Sequence, residues 1–95
     1  MACYITLLKF TEKGAKSIKS TASRAKQFRL AAEKSGVKVV GQYWTLGDYD
    51  GVLVLETDKA EKALQCMAEL TAAGNVLTHT LPAYSAEEIR SILKK

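Results

Sequence analysis

Segments with apolar residues at every second position alternate with segments whose apolar residues recur at helical spacing, and their order restricts the possible folds. The period-two segments, together with the continuous apolar run at residues 52–56, predict four strands, at residues 3–10, 37–46, 52–56 and 76–84. A helical stripe containing Ala25 and Phe28 lies between the first two strands. A second stripe, containing Leu64, Met67 and Leu70, lies between the last two. The predicted order is therefore β-α-β-β-α-β.

Residues that start and stop helices stand at the ends of these segments. Gly36 is expected to end the first long helix in a left-handed conformation. Thr57 or Asp58 is expected to cap the second long helix. Beyond the fourth strand, Ser85 and Glu88 have the spacing of a capping box, which predicts a short C-terminal helix.

Two β-α-β units that share one antiparallel sheet form the split β-α-β, or ferredoxin-like, arrangement. Right-handed crossovers place both long helices on the same face of such a sheet. The chain has 95 residues, a common length for one domain and a short one for two. We therefore predict a single α+β domain over residues 1–95, with one sheet face left without helices.

The uncovered sheet face is expected to be too apolar to remain in water. Strand one would present there either the even-numbered residues 4–10 or Ile5 and Leu7, and strand two adds Tyr43 or Trp44. A large exposed apolar patch on a small domain usually marks an interface or a ligand groove. We expect two copies to pack sheet to sheet as a homodimer, the simplest closed symmetry, or dimers to join into a higher oligomer.

The net charge of +4 is concentrated in the first part of the chain. Residues 9–38 hold nine Lys/Arg and two Glu, whereas the remainder holds five Lys/Arg and eight Asp/Glu. Anion or nucleic-acid binding through the basic first helix is one interpretation. Nucleic-acid sites interleave aromatic residues with the charges, and only Phe10 and Phe28 lie in this region. A solvated helix surface is therefore the favoured interpretation.

Cysteine usage and hydropathy bear on the cellular compartment. Cys3 and Cys66 lie far apart, and a disulfide scaffold in a chain this small usually has more cysteines. No apolar run is long enough to span a membrane. The apolar N-terminus alternates like a strand, so we expect no signal peptide. These features favour reduced thiols and a cytoplasmic protein.

Short motifs give the chain a resemblance to a known family. The turn Gly47-Asp48-Tyr49-Asp50 has the pattern Gly-x-Tyr-Asp and follows the aromatic-rich Tyr43-Trp44-Thr45-Leu46. With these motifs, the chain resembles the GYD domain family from the first strand to the last. The other matching segments are Tyr4-Ile5-Thr6-Leu7, Thr11-x-x-Gly14, Gly74-Asn75-Val76-x-Thr78-x-Thr80-Leu81 and Ala83-Tyr84.

The resemblance implies a ferredoxin-like fold that assembles as a dimeric α+β barrel. Small monooxygenases, muconolactone isomerase and the ligand-binding domain of leucine-responsive regulators share that architecture, so the fold does not fix the function. The resemblance supplies no catalytic set. His79 stands where the family is expected to have a carboxylate or another polar residue, and Pro82 where a basic residue is common.

The candidate ligand-binding residues are aromatic, hydroxyl-bearing or ionisable. His79, the only histidine, could move protons near neutral pH, but an edge or interface position in its strand is favoured. Asp48, Tyr49 and Asp50 could bind a cation or a substrate, although turn formation is their favoured role. The remaining candidates could line a ligand pocket or fill a dimer core, and composition does not distinguish the two because aromatic residues are favoured in both. They are Tyr4, Thr6, Tyr43, Trp44 and Tyr84.

Together these features favour a small oligomeric module that binds a small molecule or has a structural role, with a site between the sheet and the helices. The alternative is a cofactor-independent monooxygenase or isomerase, in which His79, Tyr4, Tyr43 or Asp50 moves a proton inside the barrel. We expect no cofactor and no metal. The sequence contains no phosphate-binding loop, no nucleophile elbow and no His/Cys spacing typical of a metal site.

Overall fold

The computed structural model describes residues 1–94, which form one four-stranded antiparallel sheet with helices packed on it. The strands are β1 (Ala2–Phe10), β2 (Lys38–Trp44), β3 (Gly51–Thr57) and β4 (Val76–Ala83). The helices are α1 (Glu12–Lys16), α2 (Thr21–Lys34), α3 (Ala60–Ala72) and α4 (Ala86–Leu93), and a 3-10 turn covers Ile18–Ser20. The predicted order and the ferredoxin-like fold class are confirmed.

The sheet order is β2-β3-β1-β4, with the first strand of each half in the centre. β1 pairs antiparallel with β3 and β4, and β2 pairs antiparallel with β3. Pro82 lies in the edge strand β4, where a residue without an N–H is tolerated, as its position in the sequence predicts. The other edge strand, β2, has an irregularity between Val39 and Gly41.

One sheet face packs against α2 and α3 and forms the core. The Thr6 hydroxyl donates to Met67 Sδ of α3 at 3.4 Å, which places the even-numbered residues of β1 on this helix face. Thr6 pairs with Leu53 of β3, so Leu53 and Leu55 point the same way. The buried cluster consists of Ala32, Val37, Val39, Leu53, Leu55, Cys66 and Met67.

The opposite face, which we call the bare face, carries Ile5, Leu7 and their neighbours on the other strands. α2 packs on β2 from the core side, α3 packs on β3 and β4, and every residue of α4 is exposed. The thinnest dimension of the molecule is 17 Å, as for one sheet with helices on one side. Of the two sets open in the sequence, the bare face therefore takes Ile5 and Leu7, with Tyr43 rather than Trp44.

The structure changes one predicted helix start and confirms another. α3 begins after Lys59, because Thr57 is a buried residue of β3 whose hydroxyl donates to the Gly36 carbonyl at 3.1 Å. The capping box at α4 is confirmed: Glu88 N–H donates to Ser85 Oγ at 3.1 Å, and Ser85 N–H donates to Glu88 Oε1 at 2.9 Å. Gly36 has a φ of 86°, as expected for a left-handed cap.

Candidate functional site

The bare face presents an apolar surface across all four strands. One cross-strand row runs Tyr43–Val52–Leu7–His79, and the next runs Gly41–Val54–Ile5–Leu81. In the single chain Tyr43 is 62% exposed and Leu81 is 42% exposed. Such a contiguous patch requires either a ligand or a protein partner to remove it from water.

Ionisable groups lie mainly at the ends of the bare face. Lys38 pairs with Glu56 near one end, and Lys9 lies at the other end opposite Leu77. His79 is the exception, since it lies in the middle of β4 opposite Leu7. Apart from His79, the centre of the bare face is therefore apolar.

Tyr43 covers part of the bare face by lying over a glycine. A Cβ atom added to Gly41 would lie 2.9 Å from the Tyr43 ring carbon Cε2. Any side chain at position 41 would thus displace the ring. The glycine therefore lets the Tyr43 ring lie flat on the bare face, where it offers a broad apolar surface. Its hydroxyl can bond to water or to a partner.

The helix face contains a cleft of about 400 Å³ between α2, α3 and the sheet. Leu8 and Phe10 of β1 form part of its floor, and Phe28 of α2 and Leu70 of α3 form part of its walls. Alanines of α2, such as Ala25, and Ala73 just after α3 also line it. Because their side chains are small, this half of the helix face is less completely filled than the half around Leu55.

Most polar side chains of the cleft have partners within the chain. Gln42 Nε2 donates to the Ala25 carbonyl at 2.9 Å, and Trp44 Nε1 donates to Thr21 Oγ1 at 3.1 Å. These bonds hold the start of α2 against β2. They leave a surface that offers mainly apolar contact.

The predicted site residues are distributed over several places. Tyr4 and Thr6 lie in the packed half of the helix face, where Thr6 is fully buried and hydrogen-bonded to Thr80 at 2.8 Å. Trp44 and Asp50 line the cleft, and Tyr43, whose ring lies over Gly41, also borders it. The bare face holds Tyr43 and His79, and the other three candidates, Asp48, Tyr49 and Tyr84, are exposed.

The structure does not bring the predicted proton-moving residues together. His79 and Tyr43 stand at opposite edges of the sheet, three strand spacings or about 14 Å apart. The residue opposite His79 on β1 is Leu7, and the histidine is exposed. Sequence reasoning did not identify Phe28, Leu70 and the alanines as cleft-lining residues, because helical periodicity assigns them simply to the core.

The cysteines lie on different sides of the sheet and are both free. Cys66 is buried in α3, and burial, with a smaller contribution from the Glu69 charge, raises the pKa of its thiol. Cys3 is half-buried on the bare face. Within residues 1–94, no cluster of three or more His, Cys, Asp or Glu side chains is placed to hold a metal ion. No helix in that part of the chain is both long and apolar enough to cross a membrane.

Several residues of the basic region have local partners. Lys13 Nζ donates to the Ala73 carbonyl at 2.9 Å, and Lys16 pairs with Glu12 at 3.2 Å. Arg24 Nη1 donates to the Ser17 carbonyl at 2.8 Å. These contacts fit a solvated helix surface better than a dedicated anion site.

Comparison with known proteins assigns the family. The profile of the GYD domain family matches residues 4–93. The chain belongs to the GYD domain family. A curated relative from Thermus thermophilus, named "Glutamine synthetase and cystathionine beta-lyase binding protein", is 35% identical over 95 residues, covering 99% of this chain and all of the relative.

A solved structure supports the fold. The crystal structure of TTHA0845 from Thermus thermophilus superposes with a TM-score of 0.58 at 19% identity, covering 90% of this chain and 96% of that one. At this identity the likeness extends to the fold alone.

The GYD signature of this chain, Gly47 to Asp50, connects β2 to β3 and is attached to the end of β1. Asp50 N–H donates to the Leu8 carbonyl at 2.8 Å, and the Phe10 N–H donates to Asp50 Oδ2 at 2.8 Å. Gly47 has a φ of 106°, which other residues rarely adopt. Asp50, the last residue of the signature, thus ties the β2–β3 connection to the end of β1 and also lines the cleft.

Proposed function

We propose that this GYD domain is a protein-binding module that works as a homodimer joined through its bare face. The observation that carries the proposal is the continuous apolar surface around Ile5, Leu7 and Val54, which no helix within residues 1–94 covers. Four strands of about seven residues give a flat footprint of roughly 400–500 Å² before side-chain relief is counted. That is the same order as the ~800 Å² per partner of a stable interface.

A homodimer fits the bare face better than an isolated monomer does. A two-fold axis would pair each apolar row with its own copy, so both chains lose their exposed patch together. The charged residues Lys9, Lys38 and Glu56 lie toward the ends of the strands, where they would remain at the rim. A chain of this size also has a small core, and dimerisation adds buried apolar area to it.

The protein partners in this proposal are enzymes of the kind named for the relative. That relative is related over its whole length and is named for binding glutamine synthetase and cystathionine β-lyase. With the bare faces joined, the helices and the turn 47–50 of both copies would point outward and be available to such an enzyme. The free thiols of Cys3 and Cys66 support a cytoplasmic location for the complex.

The dimer is tested by placing a charge in the centre of the bare face. We expect Leu7→Lys to convert a dimer into a folded monomer in sedimentation velocity, with a dissociation constant raised by about 100-fold or more, because an unpaired ammonium would be buried in apolar surroundings. Ala22→Lys is the matched control, since Ala22 is exposed on α2. A wild-type monomer at high concentration, or a Leu7→Lys dimer as tight as wild type, would contradict the interface.

The enzyme partners are tested by calorimetry. Glutamine synthetase and cystathionine β-lyase of the same organism are purified separately and titrated with the GYD domain. Saturable binding to either enzyme is the expected result, and Leu7→Lys then asks whether binding needs the dimer. If neither enzyme binds while the dimer persists, the partner assignment is wrong and the assembly stands without it.

No observation favours the enzyme alternative over this binding role. The cofactor-independent mechanism needs His79 in an enclosed cavity beside a tyrosine or an aspartate, and its cross-strand neighbour is Leu7. Anion or nucleic-acid binding is likewise less well supported, because Lys13, Lys16 and Arg24 already have partners within the chain.

A further inference from the structure

The cleft on the helix face is a second surface with a binding capacity of its own. Its volume of about 400 Å³ lies within the range of small-molecule sites. Part of its wall is formed by small side chains, those of Ala25 and Ala31 in α2 and of Ala73 just after α3. The bulky residues Phe10 and Phe28 line the space without filling it.

Hydrogen bonding limits what the cleft offers to a ligand. The side-chain N–H groups of Gln42 and Trp44 each donate to α2. Arg24 Nη1 is shared among three oxygens, the Ser17 carbonyl at 2.8 Å, Ser17 Oγ at 3.0 Å and Ser20 Oγ at 2.8 Å. A ligand would therefore be held mainly by apolar contact with the floor and walls.

The charges around the cleft disfavour an anion. Its charged residues are Arg24, Asp50 and Glu69, a formal balance of −1. Arg24 is engaged by serine oxygens, whereas Glu69 has no ion pair within residues 1–94. Glu69 acts on the interior, since its charge adds to burial in raising the pKa of the Cys66 thiol, which also lines the cleft. The carboxylates of Asp50 and Glu69 would disfavour a second carboxylate or a phosphate placed beside them in the cleft.

We infer that the cleft binds an uncharged, largely apolar small molecule between α2 and α3. Aromatic or isoprenoid-like compounds of moderate size have the required chemistry, and a hydroxyl or amino group on the ligand could donate to the carboxylates of Asp50 or Glu69. The cleft lies on the opposite side of the sheet from the bare face. The inference consequently holds whether or not the proposed dimer and its enzyme partners are correct.

The test uses the neutral apolar dye N-phenyl-1-naphthylamine, whose fluorescence rises in apolar sites, with full-length protein. We expect Ala25→Leu to weaken dye binding by about tenfold or more, because the added carbons occupy the cleft. Ala31→Leu is a second cleft-filling variant at an exposed position, in case the first does not fold. Ala22→Leu, on α2 but outside the cleft, should bind the dye as wild type does.

Three results would overturn the inference. The first is no fluorescence increase with wild-type protein. The second is dye binding that Leu7→Lys abolishes while Ala25→Leu and Ala31→Leu leave it unchanged, which would place the dye on the bare face. The third is displacement of the dye from the cleft by the anionic dye 8-anilino-1-naphthalenesulfonate with equal or higher affinity, since the charge argument predicts weaker binding of the sulfonate.

Discussion

The two faces of the sheet use alternate residues of the same strands, yet they meet different surroundings. In β3, Leu53 and Leu55 are buried under the helices, while Val52 and Val54 on the bare face are only partly covered by their neighbours. The helix face also contains the fully buried hydroxyl of Thr6, which has two side-chain partners. The bare face therefore has the composition of a core without anything to cover it.

This comparison shows that apolar alternation identifies two buried faces but not what buries each one. Helices of the same chain cover one face because both crossovers are right-handed. The other face must be covered by another molecule or remain a costly exposed patch. Stability of the monomer should depend on the helix face, and assembly should depend on the bare face.

The largest expected effect is a difference in unfolding free energy between substitutions at two adjacent residues of β3, one on each face of the sheet. Leu55 is 0% exposed, so Leu55→Ala should lower the free energy of unfolding by about 2–5 kcal/mol in urea denaturation. Val54→Ala should cost less, and its cost should grow with protein concentration, because Val54 is buried further only in the dimer.

Concentration is the control for that pair. The loss caused by Leu55→Ala should be the same in dilute and concentrated samples once the wild-type concentration dependence is subtracted. If Val54→Ala shows no extra loss at high concentration, the bare face contributes nothing to assembly and the contrast between the faces is wrong.

The two cysteines provide a chemical comparison of the faces. Cys66 is 4% exposed and burial raises the pKa of its thiol, so Ellman's reagent should modify it about 100-fold more slowly than Cys3 in dilute protein. At concentrations that favour the dimer, Cys3 should become protected as well.

Variants with one thiol each show which modification rate belongs to which cysteine. Cys66→Ala leaves only the bare-face thiol, and Cys3→Ser leaves only the thiol of α3. A Cys3 rate that stays constant over a wide range of protein concentration would show that the bare face remains open.

A fixed charge at position 79 should weaken the bare-face contact while leaving the helix face intact. His79 lies opposite Leu7 in the middle of β4. We expect His79→Lys to raise the dissociation constant of the proposed dimer by about tenfold, because an ammonium would be brought into apolar surroundings. The other ionisable groups of this face are Cys3, Lys9, Lys38, Tyr43 and Glu56.

The control for this variant is His79→Gln, which keeps a polar side chain without adding a charge. Its dissociation constant, measured by sedimentation velocity, should stay close to that of the wild type. An unchanged dissociation constant in His79→Lys would show that position 79 has no part in assembly.

Much of the fold follows from the sequence, because periodicity and turn residues act locally. The strand order and the Ser85–Glu88 capping box were predictable for that reason. The face of β1 that meets the helices was not, since Tyr4, Thr6 and Leu8 are no more apolar as a set than Ile5 and Leu7. Burial of the Thr6 hydroxyl depends on Met67 and Thr80, which are distant in sequence.

The cleft was harder to predict than the fold. It depends on the space left between α2, α3 and the sheet, and a sequence gives no measure of that space. The aromatic residues Tyr4, Tyr43 and Trp44 suggest a pocket, but register places Tyr43 on the bare face and away from the other two. Small residues such as Ala25 and Ala31 were the only local signal, and alanine is common in helices simply because it has the highest helix propensity.

The smallest expected effect concerns α4. It differs from α3 in the burial of its apolar residues, as the bare face differs from the helix face. α3 buries Ala63, Cys66 and Met67, whereas the apolar residues Ile89 and Ile92 of α4 are exposed. The capping box is therefore the main local support for α4. A hydrogen bond from the Ser85 backbone N–H lowers the pKa of the Glu88 carboxyl below its ordinary value of 4.5.

Because that pKa is depressed in the folded helix, the stabilisation is present above pH 4.5 and is lost as the pH falls through the lower folded-state value. We expect Glu88→Gln to reduce the helical Cα chemical shifts of residues 86–93 slightly at neutral pH and to remove their dependence on acid, without changing the core. Ser23→Ala, on the exposed surface of α2, is the control. If α4 keeps full helicity in the variant and in acid, the capping box is not its main support. Ile89 and Ile92 must then pack against another surface, such as that of a second copy. In that assembly α4 would be buried on one side, as α3 is.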